Sequence, residues 1–313
     1  MPACERFMIS STAGPLLDAR LWKPEGKPRA IVQFVHGMAE HIDRYNELAR
    51  ALCQAGIAAA GHTQLGHGPR ADLPGYFADK HGWQHLINDV HRLRGVVQEQ
   101  YPGVPYFLLG HSMGSFVVRC YLAQHAKGLS GAIISGTGHF EPGLVTAGLT
   151  AASITCFFGG KKRPSAFLDQ MVFSSNNKPF MPARTDFDWL TRDKAMVDLY
   201  LADEDCGFIF TGGGFRDMFS GLKEMIQPRT LQQTPKDLPL LFISGDRDPV
   251  GGMGQGVEKV ADAYKRTGHD KVQLQLYPDS RHEVLNEIDR AKVFRDVIIF
   301  VDECLSAAEK TLD

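Results

Sequence analysis

The stretch Tyr106-Phe-Leu-Leu-Gly-His-Ser-Met-Gly-Ser-Phe-Val-Val118 decides how this 313-residue chain is read. Its centre, Gly110-His111-Ser112-Met113-Gly114, has the form G-x-S-x-G. With 32 glycines in the chain and ordinary serine usage, such a pattern arises by chance about 0.2 times in this length. The motif alone is weak, so its setting carries the weight. A short apolar run, Tyr106 to Leu109, precedes it, and a segment with helical spacing, Met113 to His125, follows. That is the strand, sharp turn and helix of a nucleophile elbow. The two flanking glycines let the backbone turn so tightly that the serine oxygen stands above the sheet edge. A plain strand-to-helix turn with Ser112 as helix N-cap is the alternative.

A serine hydroxyl attacks at neutral pH only when a base takes its proton and a carboxylate orients that base. With this elbow the partners follow in the order Ser, acid, His, each on a loop after a later strand. Leu238 to Ile243 leads into Ser244-Gly-Asp-Arg-Asp-Pro249, and Val272 to Leu276 leads into Tyr277-Pro-Asp-Ser-Arg-His282. His282 is the candidate base, and Asp246 or Asp248 the candidate acid. Two N–H donors must also meet the oxyanion of an acyl-transfer intermediate. Met113, next after the serine, supplies one, and Met38, in the turn after the strand Ala30 to Val35, supplies the other. His111 sits inside the elbow and shapes it; His81, His85 and His91 precede it, out of order for the base.

Further outward, apolar runs at 30–35, 57–60, 105–109, 131–134, 238–243 and 272–276 alternate with helical spacing at 44–55, 83–100, 113–125, 257–267 and 290–305. Continuous apolar character over four to six residues is what a parallel strand covered on both faces requires. The fold class is therefore α/β, a mostly parallel sheet flanked by helices. The alternation breaks between about His139 and Pro235, which predicts a mainly helical insertion lying over the sheet. The expected organisation is a core at 1–138, a cap at 139–235 and the rest of the core at 236–313.

Composition removes other classes. With 34 basic and 36 acidic residues the net charge is −2, so nothing directs the chain to nucleic acid. The basic cluster Lys161-Lys162-Arg163 is too short to alter this. No uninterrupted apolar run approaches the roughly 18 to 20 residues that span a bilayer. The segment beginning Met1-Pro-Ala-Cys lacks an apolar signal core, which predicts no secretion. Six cysteines, spaced singly, are expected to be free thiols of a reducing, cytoplasmic protein. His282-Glu283 lacks the second histidine of H-E-x-x-H, so no metal is expected. Gly251-Gly-Met-Gly-Gln-Gly256 fails as a dinucleotide fingerprint, because Val257 stands where the last glycine belongs; no cofactor is expected.

The stretches His36-Gly-Met-Ala-Glu-His-Ile-Asp-Arg-Tyr45, Gly66-His-Gly68, Gly110-His-Ser-Met-Gly114, Gly245-Asp-Arg-Asp248 and Arg281-His-Glu-Val-Leu285 resemble the α/β-hydrolase superfamily. They are most similar to its monoacylglycerol lipase and lysophospholipase-like branch, which includes serine aminopeptidase-like relatives. The resemblance implies an α/β-hydrolase fold with a helical cap, a Ser112, Asp248 and His282 triad, and hydrolysis of carboxylic esters. It selects Asp248 over Asp246 by placing the acid three residues after the glycine that ends the strand. A departure is visible at Thr63-Gln-Leu-Gly-His-Gly68, where relatives carry Asp-x-Arg-Gly-His-Gly; local hydrogen bonding should differ there.

Small ester or lipid substrates are the expected partners, with a transient contact between the cap and a membrane or micelle surface. Apolar cap residues Leu144, Val145, Leu149, Phe157 and Phe158 are candidates for the wall of an acyl-chain channel. Two rival readings stay open. An aminopeptidase needs a buried carboxylate for the substrate's amino group, with Glu141, Asp186, Asp188 and the Asp203-Glu-Asp205 run as candidates. A catalytically inactive binding module is the other, since fold does not fix function.

Overall fold

The computed structural model describes residues 3–310; Met1 and Pro2, with which the expected unsignalled N-terminus begins, lie outside the described residues. Among the described residues, eight strands form one sheet: β1 (Ala3–Ser10), β2 (Leu16–Lys23), β3 (Ala30–Val35), β4 (Ile57–His62), β5 (Tyr106–His111), β6 (Gly131–Ser135), β7 (Leu240–Gly245) and β8 (Val272–Tyr277). Their spatial order is β1-β2-β4-β3-β5-β6-β7-β8. The pairs from β4 to β8 are parallel, and β1 and β2 are antiparallel additions at one edge. This is the α/β-hydrolase fold. The sequence reading had missed β1 and β2. Charged residues such as Glu5, Arg6, Asp18 and Arg20 interrupt both strands, and most of β1 is exposed.

Among the described residues, ten α-helices alternate with the strands or follow them: α1 (Asn46–Gln54), α2 (Gly82–Gln100), α3 (Met113–His125), α4 (Pro142–Gly159), α5 (Ala166–Phe173), α6 (Lys194–Ala202), α7 (Gly212–Met225), α8 (Pro228–Gln233), α9 (Gln255–Arg266) and α10 (Arg290–Glu309). The strands sort their side chains by parity, because successive residues point to opposite faces. Ile31, Leu108, Ile134 and Phe242 meet α2, α3, α7 and α9 on one face. Val32, Phe107, Ile133 and Leu241 meet α1 and α10 on the other. Burial of both faces explains the uninterrupted apolar runs by which the strands were recognised.

The segment between β6 and β7 carries α4 to α8. Its first part reaches the strand ends, whereas Phe215, Phe219 and Leu222 of α7 join the cluster on the face of α2 and α3. The tail of the expected cap thus lies in the layer flanking the sheet. Helix α4 is interrupted by serines and threonines, as expected of a chain with no uninterrupted membrane-length apolar run, yet by length and composition it meets the measure of a span. It spans 18 residues with a mean hydropathy of 1.3, long and apolar enough to cross a bilayer. Its serines and threonines had broken the apolar run, but those of Thr146, Thr150, Ser153 and Thr155 bond back to carbonyls four residues earlier. In the fold α4 lies along α7, with Gly148 against the ring of Phe219.

Chain direction positions the site. From β3 the chain steps to β4 on one side and later enters β5 on the other, and the crevice at such a reversal is where open α/β sheets bind ligands. The loop after β3 and the turn after β5 border this crevice.

Candidate active site

Ser112 follows β5 with φ 51° and ψ −122°, a left-handed conformation that costs a non-glycine residue of order 1–3 kcal/mol. The surrounding glycines have a packing reason. A Cβ on Gly114 would stand 2.0 Å from the Val35 carbonyl oxygen, and one on Gly110 2.4 Å from that of Gly114. Although Ser112 occupies the N-cap position of α3, its hydroxyl makes no capping bond, which removes the plainer reading. It lies instead 2.8 Å from Nε2 of His282.

His282 follows β8 and Asp248 follows β7. Nδ1 of the imidazole is 3.0 Å from both Asp248 carboxylate oxygens. Asp248 is fully buried; the Val250 amide donates to Oδ1 at 2.8 Å and the Ser244 hydroxyl to Oδ2 at 3.2 Å. Of the two acids open to sequence reasoning, Asp248 therefore faces the imidazole. Asp246 keeps a buried Oδ1 with no hydrogen-bond partner among the described residues. Burial pushes the His282 pKa down, but the Asp248 carboxylate together with the nearby Glu283 and Glu40 outweighs it and the net shift is upward. Beside it, burial holds His111 down at about 4, so a second cation does not crowd the imidazole 4.9 Å away.

Met113 follows the serine directly in sequence, Met38 follows Gly37, which abuts the Ser112 Cβ, and among the described residues neither amide donates to a protein acceptor. In the turn after β3, the left-handed residue is Ala39 at φ 51°, one residue beyond Met38. Gly37 is needed for clearance, since a Cβ there would lie 3.2 Å from the Ser112 Cβ. The altered Thr63-to-Gly68 stretch has its own bonding. The Gln64 amide donates to Nε2 of His36 at 2.9 Å, and Nε2 of His67 accepts from the Ala39 amide at 3.2 Å. Leu65 is 3% exposed and packs in the core.

Sequence reasoning missed a buried ion cluster beside the site. Arg44 donates to Glu40 at 2.6 Å and, through both arms of its guanidinium, to Glu283 at 2.7 Å. Glu40 in turn accepts from the Gly37 amide and from the Tyr45 hydroxyl. Arg44 thus joins the Met38 loop to the residue following His282. Burial raises both carboxyls, but the guanidinium prevails and holds each below the usual carboxylate range. The residues were visible within the quoted motifs, but nothing in their spacing pairs Arg44 with Glu283. Trp189 was also missed. Its ring lies 5.0 Å from His282, and its carbonyl accepts from the His282 amide at 3.4 Å.

The five apolar cap candidates fall in different environments. Val145 is 2% exposed and joins the core cluster, as its packing side of α4 dictates. Leu149 is half-buried and packs on that core. Leu144, Phe157 and Phe158 are 73%, 81% and 82% exposed, and the two phenylalanines share a shallow outer groove with Leu149 and Ile154. None of the suggested amine-binding carboxylates, Glu141, Asp186, Asp188, Asp203, Glu204 or Asp205, is buried.

A family profile described as "Serine aminopeptidase, S33" matches residues 26–289. A monoacylglycerol lipase of Mycolicibacterium smegmatis is 28% identical over 284 residues, 90% of this chain and 91% of that protein. The human monoglyceride lipase is 26% identical, covering 94% of this chain and 89% of its own. A thermostable carboxyl esterase from Bacillus coagulans, solved in complex with glycerol, superposes with a TM-score of 0.91 at 31% identity, covering 97% of this chain and all of that one.

Proposed function

We propose that this chain, which belongs to the serine aminopeptidase S33 family of α/β-hydrolases, is a carboxylic ester hydrolase that cleaves monoacylglycerol- or lysophospholipid-type lipids. The observation that carries the reading is the continuous path from Ser112 Oγ through His282 to Asp248, with contacts of 2.8 and 3.0 Å. In the reaction Ser112 attacks the ester carbonyl while Nε2 of His282 takes its proton. The Met38 and Met113 amides receive the charge that forms on the carbonyl oxygen. The imidazolium, held by Asp248, then protonates the leaving alcohol, and the acyl group stays on Ser112. Water deprotonated by His282 attacks the acyl-enzyme, and the proton returns to the serine as the acid leaves.

The names of the relatives support lipid esters, and the lack of a buried carboxylate among the amine-binding candidates argues against the aminopeptidase reading. The exposed apolar side of α4 supports contact of the cap with a micelle or membrane surface. The core and cap boundaries at 139 and 235, and a cytoplasmic location with free thiols, belong to the same proposal.

The test is a panel of monoacylglycerols, lysophospholipids, p-nitrophenyl esters and aminoacyl amides given to one preparation, with Ser112→Ala alongside. Monoacylglycerols or lysophospholipids should turn over fastest, and the variant should lose at least about 10⁴-fold of the activity. Preference for the amides would favour the aminopeptidase reading. Absence of a fluorophosphonate adduct on Ser112 would favour an inactive binding module.

A further inference from the structure

Where the cap meets the loop after β3, three metal-ligating side chains converge. Nε2 of His41 lies 2.8 Å from Oδ2 of Asp203. With Cys206 they present one nitrogen, one oxygen and one sulfur, all within 4.8 Å of one another. Tetrahedral zinc, with bonds of about 2.0 to 2.3 Å, holds its ligand atoms roughly 3.3 to 3.8 Å apart. Closing this set around an ion thus takes side-chain adjustments of about 1 Å. We propose that His41, Asp203 and Cys206 bind one thiophilic divalent cation of the zinc type, with water in the fourth position, and that the ion ties the cap to the Met38 loop.

The backbone prearranges two of the ligands. The Cys206 amide donates to the Asp203 carbonyl at 3.0 Å, closing a turn. The Asp205 amide donates to Oδ1 of Asp203 at 2.9 Å, leaving Oδ2 turned to His41. The surroundings are negative. Asp203, Glu204 and Asp205 are consecutive, and the Glu40, Arg44 and Glu283 cluster carries one net negative charge with its guanidinium already engaged by both acids. A dication relieves that excess. All three ligands are partly exposed, so ion and water have access. The sulfur selects zinc-like ions over magnesium and calcium, which require sets of oxygen ligands. On binding, the Cys206 thiol releases its proton to solvent as the sulfur–metal bond forms.

The ion would reinforce an existing seam. The Ala39 carbonyl accepts from the Gly207 amide and the Tyr200 hydroxyl, each at 3.0 Å. His41 lies just beyond that junction and Cys206 just before Gly207, so a shared cation adds a bridge to the same joint. No residue of the proposed ester-hydrolase machinery takes part, and the site stands or falls separately from it.

The experiment titrates the full chain with Cd²⁺ as an absorbing stand-in for zinc, in a Cys4→Ser background because Cys4 is an exposed thiol. One equivalent should produce a thiolate-to-cadmium charge-transfer band, displaced by Zn²⁺ and unaffected by excess Mg²⁺. Cys206→Ser should abolish the band. His41→Gln and Asp203→Asn should each weaken binding by about tenfold or more, since even loss of an outer partner costs about ten- to a hundredfold. Zn²⁺ should raise the melting temperature of the parent but not of Cys206→Ser. Absence of a saturable one-equivalent band, or its survival in Cys206→Ser, overturns the proposal. Should Cys206→Ser fail to fold, unchanged cadmium affinity in both His41→Gln and Asp203→Asn overturns it equally.

Discussion

Replacing Arg44 by methionine tests the cluster that joins the Met38 loop to the residue after His282. Methionine keeps the length and apolar volume of the stem but leaves Glu40 and Glu283 facing each other without a cation; their side chains are each 4% exposed. Removing one partner of a buried ion pair costs about 3 to 5 kcal/mol. The pH dependence identifies the cause. In the wild type both carboxyls lie below their ordinary range. They therefore contribute stability above the unfolded carboxylate pKa and lose it as pH falls through the folded value. Without Arg44, burial should raise both folded values above the unfolded ones, so the folded variant holds extra protons and loses stability as pH rises. The stability gap should be largest near pH 7 to 8 and narrow towards about pH 4, by up to about 1.4 kcal/mol per pH unit for each proton. Urea denaturation across that range measures it, and ester turnover should fall with stability because Glu40 holds the Gly37 amide. Arg44→Met/Glu283→Gln should recover at least about 1 kcal/mol, as residues in one network couple. A gap below about 1 kcal/mol, or one constant with pH, would refute the reasoning.

Three further outcomes are expected. The raised pKa of His282 places the acid limb of the pH–rate profile above the ordinary value for histidine; Asp248→Asn should move that limb down and cut turnover by about 10⁴-fold, and an unmoved limb counts against Asp248 as the orienting acid. Gly114→Ala drives a Cβ to within 2.0 Å of the Val35 carbonyl oxygen and 2.5 Å of that of His36. It should cost about 3 kcal/mol or more, and a wild-type denaturation midpoint would contradict the packing of the elbow. Phe157→Ser/Phe158→Ser removes two rings more than 80% exposed, each worth about 1.5 to 3 kcal/mol on transfer from water. KM for micellar substrate should rise at least about tenfold while a soluble p-nitrophenyl ester and the melting temperature stay unchanged; parallel losses on both substrates would contradict a surface-contact role.

Much of the frame was legible because its signals are local. A parallel strand covered on both faces must be apolar along its whole length, so β3, β5 and β7 stand out without reference to anything distant. The elbow is likewise local, since glycine is demanded by contacts within a few residues and by the adjacent end of β3. Strands β1 and β2 were illegible for the opposite reason: β1 is an edge strand and mostly exposed, and β2, though paired on both sides, carries Asp18 and Arg20 within its run, so neither has an uninterrupted apolar signature. The burial of Val145 beside the exposure of Leu144 was not legible, because one helix carries core and solvent faces with the same residue types, and only the position of α7 tells them apart.

The order of Ser112, an aspartate and His282 after successive strands is determined by the sequence alone, because each strand ends where its apolar run ends. Which atoms meet is a tertiary matter. The choice of Asp248 by direct contact, the bridge from Arg44 to Glu283 across 239 positions, the cover of Trp189 on His282 and the meeting of His41 with Cys206 all depend on separate loops arriving at one end of the sheet. Local residue pattern encodes burial and turn chemistry, whereas contacts between loops depend on the order and twist of strands that no single segment contains.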